Sequence, residues 1–311
     1  MNILVYGAGV IGSVYAARLQ EAGYTVSLLA RGDRAVSLRA QGIVLENAST
    51  GHRTTTQVSL VDSLAPTDSY DVVIVTVRLN QLPSILPILA ANCQISTLLF
   101  LLNNPDGMQR LELLDPHRVL LGFPSIGGAR QGEVIRYTHH PALVQTMLGK
   151  EDGRVTPRLR QLATAFKKAG FSVALNSDMQ GWLKAHAVID ACMWATIVMT
   201  QGGSAKLGRT HKHVVMLLQS VREGLRALKA QGIPIKPLSM KVLFLWMPSF
   251  LAVLCLQYVL QSSMTLALDP NVQGGLDEVS QTAKDILTQL QKSPLPTPTL
   301  SHLLTFLEIP A

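Results

Sequence analysis

Three glycines near the start of the chain, Gly7, Gly9 and Gly12 in the run Gly7-Ala8-Gly9-Val10-Ile11-Gly12, stand at the G-x-G-x-x-G spacing. The first permits a tight turn out of a strand, the second lets a pyrophosphate approach the backbone, and the third lets the following helix lie close on the sheet. Backbone N–H groups at that helix start then face an anion. About twenty residues on, where an NAD-binding chain would carry Asp or Glu for the ribose hydroxyls, this one has Arg31, with Gly32 next and Arg34 soon after. A guanidinium suits a 2′-phosphate, so NADP is expected over NAD. Solvated surface arginines beside Asp33 are the alternative.

A second set of reactive side chains lies far downstream, at Lys184, His186 and Asp190. A lysine near the start of an apolar helix either snorkels to solvent or offers an ammonium to a developing oxyanion. His186 and Asp190 are four apart and share a helix face, which permits an acid with an orienting carboxylate or a structural pair. His139 and His140 precede Pro141 without a third ligand nearby, and Cys93, Cys192 and Cys255 form no C-x-x-C pair. Neither a metal site nor a disulfide framework is indicated, and a reducing cytoplasm fits.

The glycine turn needs a βαβ unit around it, and the chain supplies one. Ile3 to Tyr6 is an apolar strand, Val14, Ala17 and Leu19 belong to a helix stopping at Gly23, and Val26 to Ala30 form a second strand. Further unalternating strands are expected at Asp71–Val77 and Thr97–Leu102, with shorter ones at Val119–Phe123, Glu133–Tyr137 and Val144–Leu148. Beyond about Ser177 the pattern turns helical: Trp182–Thr200, His213–Gln231, Met240–Leu268 and Leu276–Gln291, separated by Gly- or Pro-rich breaks. The expected fold is α/β, with a Rossmann-type doubly wound sheet over residues 1–176 that binds NADP. An all-helical domain over 177–311 would serve substrate binding and dimerisation.

With 311 residues, 48% hydrophobic and 15% charged, the chain is an ordered one of two ordinary domains. Its net charge of +7 comes from scattered Lys and Arg with no aromatic-basic platform, so small anions rather than nucleic acid are the expected partners. No basic segment precedes the first strand, so no signal peptide is expected. Val242–Leu260 is nineteen residues without a charge; Pro248, Ser249 and Gln257 interrupt it, and a buried helix is favoured over a membrane-surface or dimer contact. No membrane span is expected.

Along nearly its whole length the chain resembles the ketopantoate reductase family (2-dehydropantoate 2-reductases). Beyond the opening glycine turn, Val77-Arg78-Leu79-Asn80-Gln81 is similar to the family's V-K-x-x-Q. Leu102-Asn103-Asn104-Pro105-Asp106-Gly107 is similar to its L-Q-N-G turn with two residues added, and Trp182-Leu183-Lys184 to its W-x-K. Ser262-Ser263-Met264, followed by Gly275-Leu276-Asp277-Glu278, resembles S-S-M and G-R-x-T-E-I-D, and Pro294 to Pro298 falls where the family has V-P-T-P. The resemblance implies NADPH-dependent reduction of a small 2-keto acid such as 2-dehydropantoate, a step of pantothenate biosynthesis. Lys184 would be the general acid and Glu278 its catalytic partner or a substrate anchor, with Asn104 and Ser263 holding the substrate. Gly7, Ala8, Gly9, Val10, Ile11, Gly12, Arg31, Arg78, Asn104 and Glu278 would contact the cofactor, and a homodimer is compatible. Where the family has asparagines four and eight residues after the lysine, this chain has Val188 and Cys192. Loss of two polar partners points to a different, more apolar ketone as the alternative substrate; a non-catalytic NADP-binding sensor is the alternative of another class.

Overall fold

The computed structural model describes residues 1–142, 144–262 and 276–307. It divides into two compact units, Met1–Leu102 with Gly107–Met179, and Asn103–Asp106 with Gln180–Ala311. The short turn 103–106 belongs with the second unit although it follows a strand of the first.

The first unit is built on an eight-stranded sheet. Its strands are β1 (Asn2–Tyr6), β2 (Thr25–Leu29), β5 (Ser59–Val61), β6 (Val72–Val75), β7 (Leu98–Leu101), β8 (Val119–Phe123), β11 (Thr146–Gly149) and β12 (Val173–Leu175). Their order is β12-β11-β8-β7-β6-β1-β2-β5. All neighbours are parallel except β11 and β8, so the β11–β12 pair runs against the rest. The β-branched run Val72–Val75 and the aliphatic run Leu98–Leu101 are wholly buried, as strands covered on both faces must be. Helices α1 (Val10–Glu21), α2 (Gly32–Gln41), α3 (Leu82–Ala91) and α4 (Pro157–Lys168) connect or cover them. Because β2 lies on one side of β1 and β6 on the other, the chain reverses its winding there. In open α/β sheets ligands bind beyond the carboxyl ends of the strands at such a switch point, here β1 and β6.

A second, four-stranded sheet is a finding the sequence pattern did not suggest. It orders β4 (Arg53–Thr56), β3 (Ile43–Asn47), β10 (Val134–His139) and β9 (Ile126–Gln131). The Ile126-Gly-Gly-Ala start of β9 carries too few β-formers to read as a strand. Its glycine is needed by the pairing, for a Cβ on Gly128 would lie 2.3 Å from the Arg136 carbonyl oxygen. This sheet also claims Arg34, whose guanidinium pairs with Glu133 at 3.0 Å, leaving Arg31 as the arginine presented at the end of β2.

The second unit is helical: α5 (Met179–Thr200), α6 (Gly203–Arg209), α7 (His211–Ala230), α8 (Leu238–Met240), α9 (Ser249–Leu260), α10 (Leu276–Leu290) and α11 (Pro298–Leu304). Ala185, Val188, Ala191, Cys192 and Ala195 of α5 sit at the centre of its core against Leu217, Val221 and Leu300. The expected single helix over Met240–Leu268 is corrected. A π-helical stretch at Lys241–Trp246 ends at Met247-Pro248, where proline cannot continue the backbone ladder, and α9 starts afresh. The apolar run Val242–Leu260 is therefore two short pieces, with Phe244, Ala252, Val253 and Leu256 buried while Trp246, Phe250, Leu254 and Tyr258 are exposed. Among the described residues one helix, α5, is long and apolar enough to cross a membrane. Just over half of its most apolar window is buried within the fold, as expected of a core helix.

Candidate active site

The glycine turn has the geometry its spacing demands. Gly7 leaves β1 at φ +121°, a conformation that side chains disfavour. Gly12 packs so closely that a Cβ there would lie 1.9 Å from the Gly7 carbonyl oxygen. Thr76, one residue beyond β6, fixes the turn from the neighbouring strand, its Oγ1 donating to the Gly7 carbonyl at 3.0 Å and its N–H to that of Tyr6 at 3.0 Å. Around Gly9 the space is open, with no atom within 4 Å of where a Cβ would stand. No side chain caps α1 and no acidic residue occupies its first turn, so Ala8, Val10 and Ile11 complete a backbone cradle suited to a pyrophosphate.

Arg31 is the N-cap residue of α2 and is exposed. Its charge is felt at the Tyr6 hydroxyl: burial raises that hydroxyl's pKa, and the guanidinium pulls it partway back. Arg78, also exposed, precedes a 3₁₀ turn beyond β6, where Gln81 Oε1 accepts from its backbone N–H at 3.1 Å. Both cations thus stand beyond the carboxyl ends of strands flanking the switch point.

The remaining candidates belong to the helical unit. Lys184, half-buried in the second turn of α5, reaches Gln289 Oε1 at 3.4 Å, and Gln289 is itself paired with Gln231 at the end of α7. Glu278 lies in the first turn of α10, where a helix dipole favours a carboxylate. Lys184 therefore meets the last turn of that helix and Glu278 lies in its first, about 16 Å along the axis, so the expected role of Glu278 as the partner that holds the lysine is corrected. Asn104 is fully buried in the turn 103–106, and Ser263 lies outside the described residues.

Asp190 is the group whose surroundings the sequence did not disclose. Its Oδ2 accepts from Asn103 Nδ2 at 2.9 Å, and the Trp194 side chain donates to the same carboxylate. Burial and the nearby charge of Glu278 push its pKa up to about 7 against those two donors. His186, one turn earlier, stacks on Trp182 with ring centroids 4.8 Å apart, and burial lowers its pKa to about 4.

Val188 and Cys192 face inward. Both are fully buried, and a Cβ on Gly224 of α7 would lie 2.5 Å from Val188 Cγ1 and 2.8 Å from Leu300 Cδ1. The two departures from the asparagine pattern thus fill an apolar core. Val188→Asn should accordingly lower unfolding free energy by about 1–3 kcal/mol, the cost of an amide buried without a partner. Chemical denaturation checks this, and an unchanged midpoint would mean that polar partners are within reach.

Residues 3–153 match the family model described as ketopantoate reductase PanE/ApbA. The 2-dehydropantoate 2-reductase of a Nostoc species is 28% identical over 185 residues, so that the match spans 56% of this chain and 56% of that relative. The uncharacterized oxidoreductase YkpB of Bacillus subtilis is 26% identical over 270 residues, 85% of this chain and 84% of its own. Among solved structures, D-mandelate dehydrogenase with NADH and anilino(oxo)acetate shares the fold at a TM-score of 0.80 and 16% identity, covering 99% of this chain and 97% of that one.

Proposed function

From the match of residues 3–153 to the ketopantoate reductase family model, we propose that this protein is an NADPH-dependent reductase of a small 2-keto acid, forming the 2-hydroxy acid. The observation that carries the reading is the glycine turn at the switch point, tight at Gly7 and Gly12 and open at Gly9. A reduced nicotinamide, when bound, supplies the hydride. The chain's own residues do the rest. The backbone from Gly7 to Gly12 holds the pyrophosphate, Arg31 pairs with a 2′-phosphate, and Arg78 meets a further anionic group. Lys184 donates a proton to the carbonyl oxygen as negative charge builds there, an interaction strongest where water is excluded. Asn104 and Ser263 hold the substrate, and Asn104 and Glu278 meet the cofactor. With Val188 and Cys192 sealed in the core, a pocket made apolar by them is not required, and a small keto acid remains the substrate class.

Cofactor choice tests the reading where it is most exposed. Hydrogen bonds to charged groups contribute about 1.5–3 kcal/mol, so Arg31→Glu should weaken NADPH binding by about 10- to 100-fold. NADH binding should change far less. Titration of both nucleotides against the variant decides it, and equal losses would remove the 2′-phosphate argument.

A further inference from the structure

α5 is an apolar helix through the core of the helical unit, yet Asp190 puts a carboxylate into it. A partly buried carboxylate in such a place is costly unless donors hold it, and here two do, the Asn103 amide and the Trp194 side chain. Trp194 is one turn away on the same helix and can only orient the carboxylate. Asn103 is 87 residues distant in sequence and sits in the turn 103–106, which carries Asn104. The other end of the Asn103 amide, Oδ1, is buried with no hydrogen-bond partner among the described residues. The bond to Asp190 is thus the polar contact that this side chain makes with the helix. Glu278 is the charged group facing the same carboxylate from α10, and His186 lies one turn before it on α5.

Resting on the reductase reading above, we propose that Asp190 is a positioning residue for substrate binding. It anchors Asn103, and through the backbone fixes where Asn104 presents its amide. It does not touch the substrate. A carboxylate suits the task because it accepts from both donors at once in a fixed plane. A displacement of about 1 Å in a positioning group is enough to cost about 100-fold in rate.

The test uses the full chain in two variants, with hydrogen exchange and kinetics as separate readouts. Asp190→Ala should speed amide exchange at Asn103, Asn104, Asp106 and Gly107 and raise KM for the keto acid by about 10- to 100-fold, with a much smaller loss of NADPH affinity, which the glycine turn and Arg31 chiefly carry. Asp190→Asn keeps an oxygen acceptor for Asn103 and should restore most of both. The proposal is overturned if exchange in the turn is unaltered in Asp190→Ala. It is equally overturned if the loss falls on NADPH binding and thermal stability alike and Asp190→Asn does not rescue it. Should the unmodified protein turn over no 2-keto acid, the reductase reading fails by itself, and exchange at the turn still decides whether Asp190 anchors it.

Discussion

Lys184→Ala should lower kcat for keto-acid reduction by about 100- to 10,000-fold while leaving NADPH affinity within a small factor of its original value. An ammonium serves this reaction twice, as the cation opposite the forming alkoxide and as the source of its proton, and alanine supplies neither. Lys184 sits in an apolar helix and reaches the side-chain amide of Gln289 at 3.4 Å. Gln289→Ala is the informative companion. If the amide only steadies the lysine, its loss should cost much less than loss of the lysine. Comparable losses for the two would mean that the lysine acts only when Gln289 holds it. An unchanged kcat in Lys184→Ala would remove the proposed general acid.

The glycine turn yields a second large effect, and the two glycines involved should fail differently. Gly12→Ala drives a Cβ into the Gly7 carbonyl oxygen and against Thr76 Oγ1, 2.5 Å away, so the turn or the helix must shift. Overpacking of this kind costs about 1–3 kcal/mol, and the cradle is displaced with it. The variant should both melt lower and lose NADPH binding. Gly9→Ala meets no atom within 4 Å, and Gly9 has φ −74°, an ordinary value for alanine. The variant should therefore fold as well as the parent, or up to about 1 kcal/mol better through a less flexible unfolded chain. NADPH binding should still fall by about 100-fold, because the added methyl occupies the room a pyrophosphate needs. Thermal melts with and without NADPH separate the cases. If Gly9→Ala still gains stability from NADPH as the parent does, the open space at Gly9 is not where the phosphates lie.

What the sequence disclosed and what it hid follow from the range of the interactions concerned. The turn at Gly7–Gly12, the strand Val72–Val75 and the cation at Arg31 are legible because local rules govern them: spacing, a β-branched run, a missing carboxylate at the end of β2. The second sheet is not, because β9 takes its conformation from pairing with β10 and β3 rather than from its own residues. Pro248 could be read as an interruption of the run from Val242, though not as the point where one helix ends and another begins. The site's polar contacts were hidden most deeply. His186 and Asp190 read as a pair on one helix face, but Trp182 stacks on the first, and Asn103 reaches the second across 87 residues. Gln289 meets Lys184 across 105 residues, with no motif to announce it. Val188 and Cys192 show the converse. Their departure from the family pattern was plain, and only their full burial, with Val188 close against Gly224, revealed that an apolar core is what they serve.

The central claim is that a nucleotide held by the glycine turn reduces a keto acid with a proton from Lys184. Its most direct measurement is NADPH consumption by the purified protein against a panel of aliphatic and aromatic 2-keto acids, followed by the loss of nicotinamide absorbance and by isolation of the product. The account predicts stoichiometric formation of a 2-hydroxy acid from at least one member of the panel, faster with NADPH than with NADH. Tight NADPH binding without turnover on any member would contradict it and leave a nucleotide-binding protein with another task.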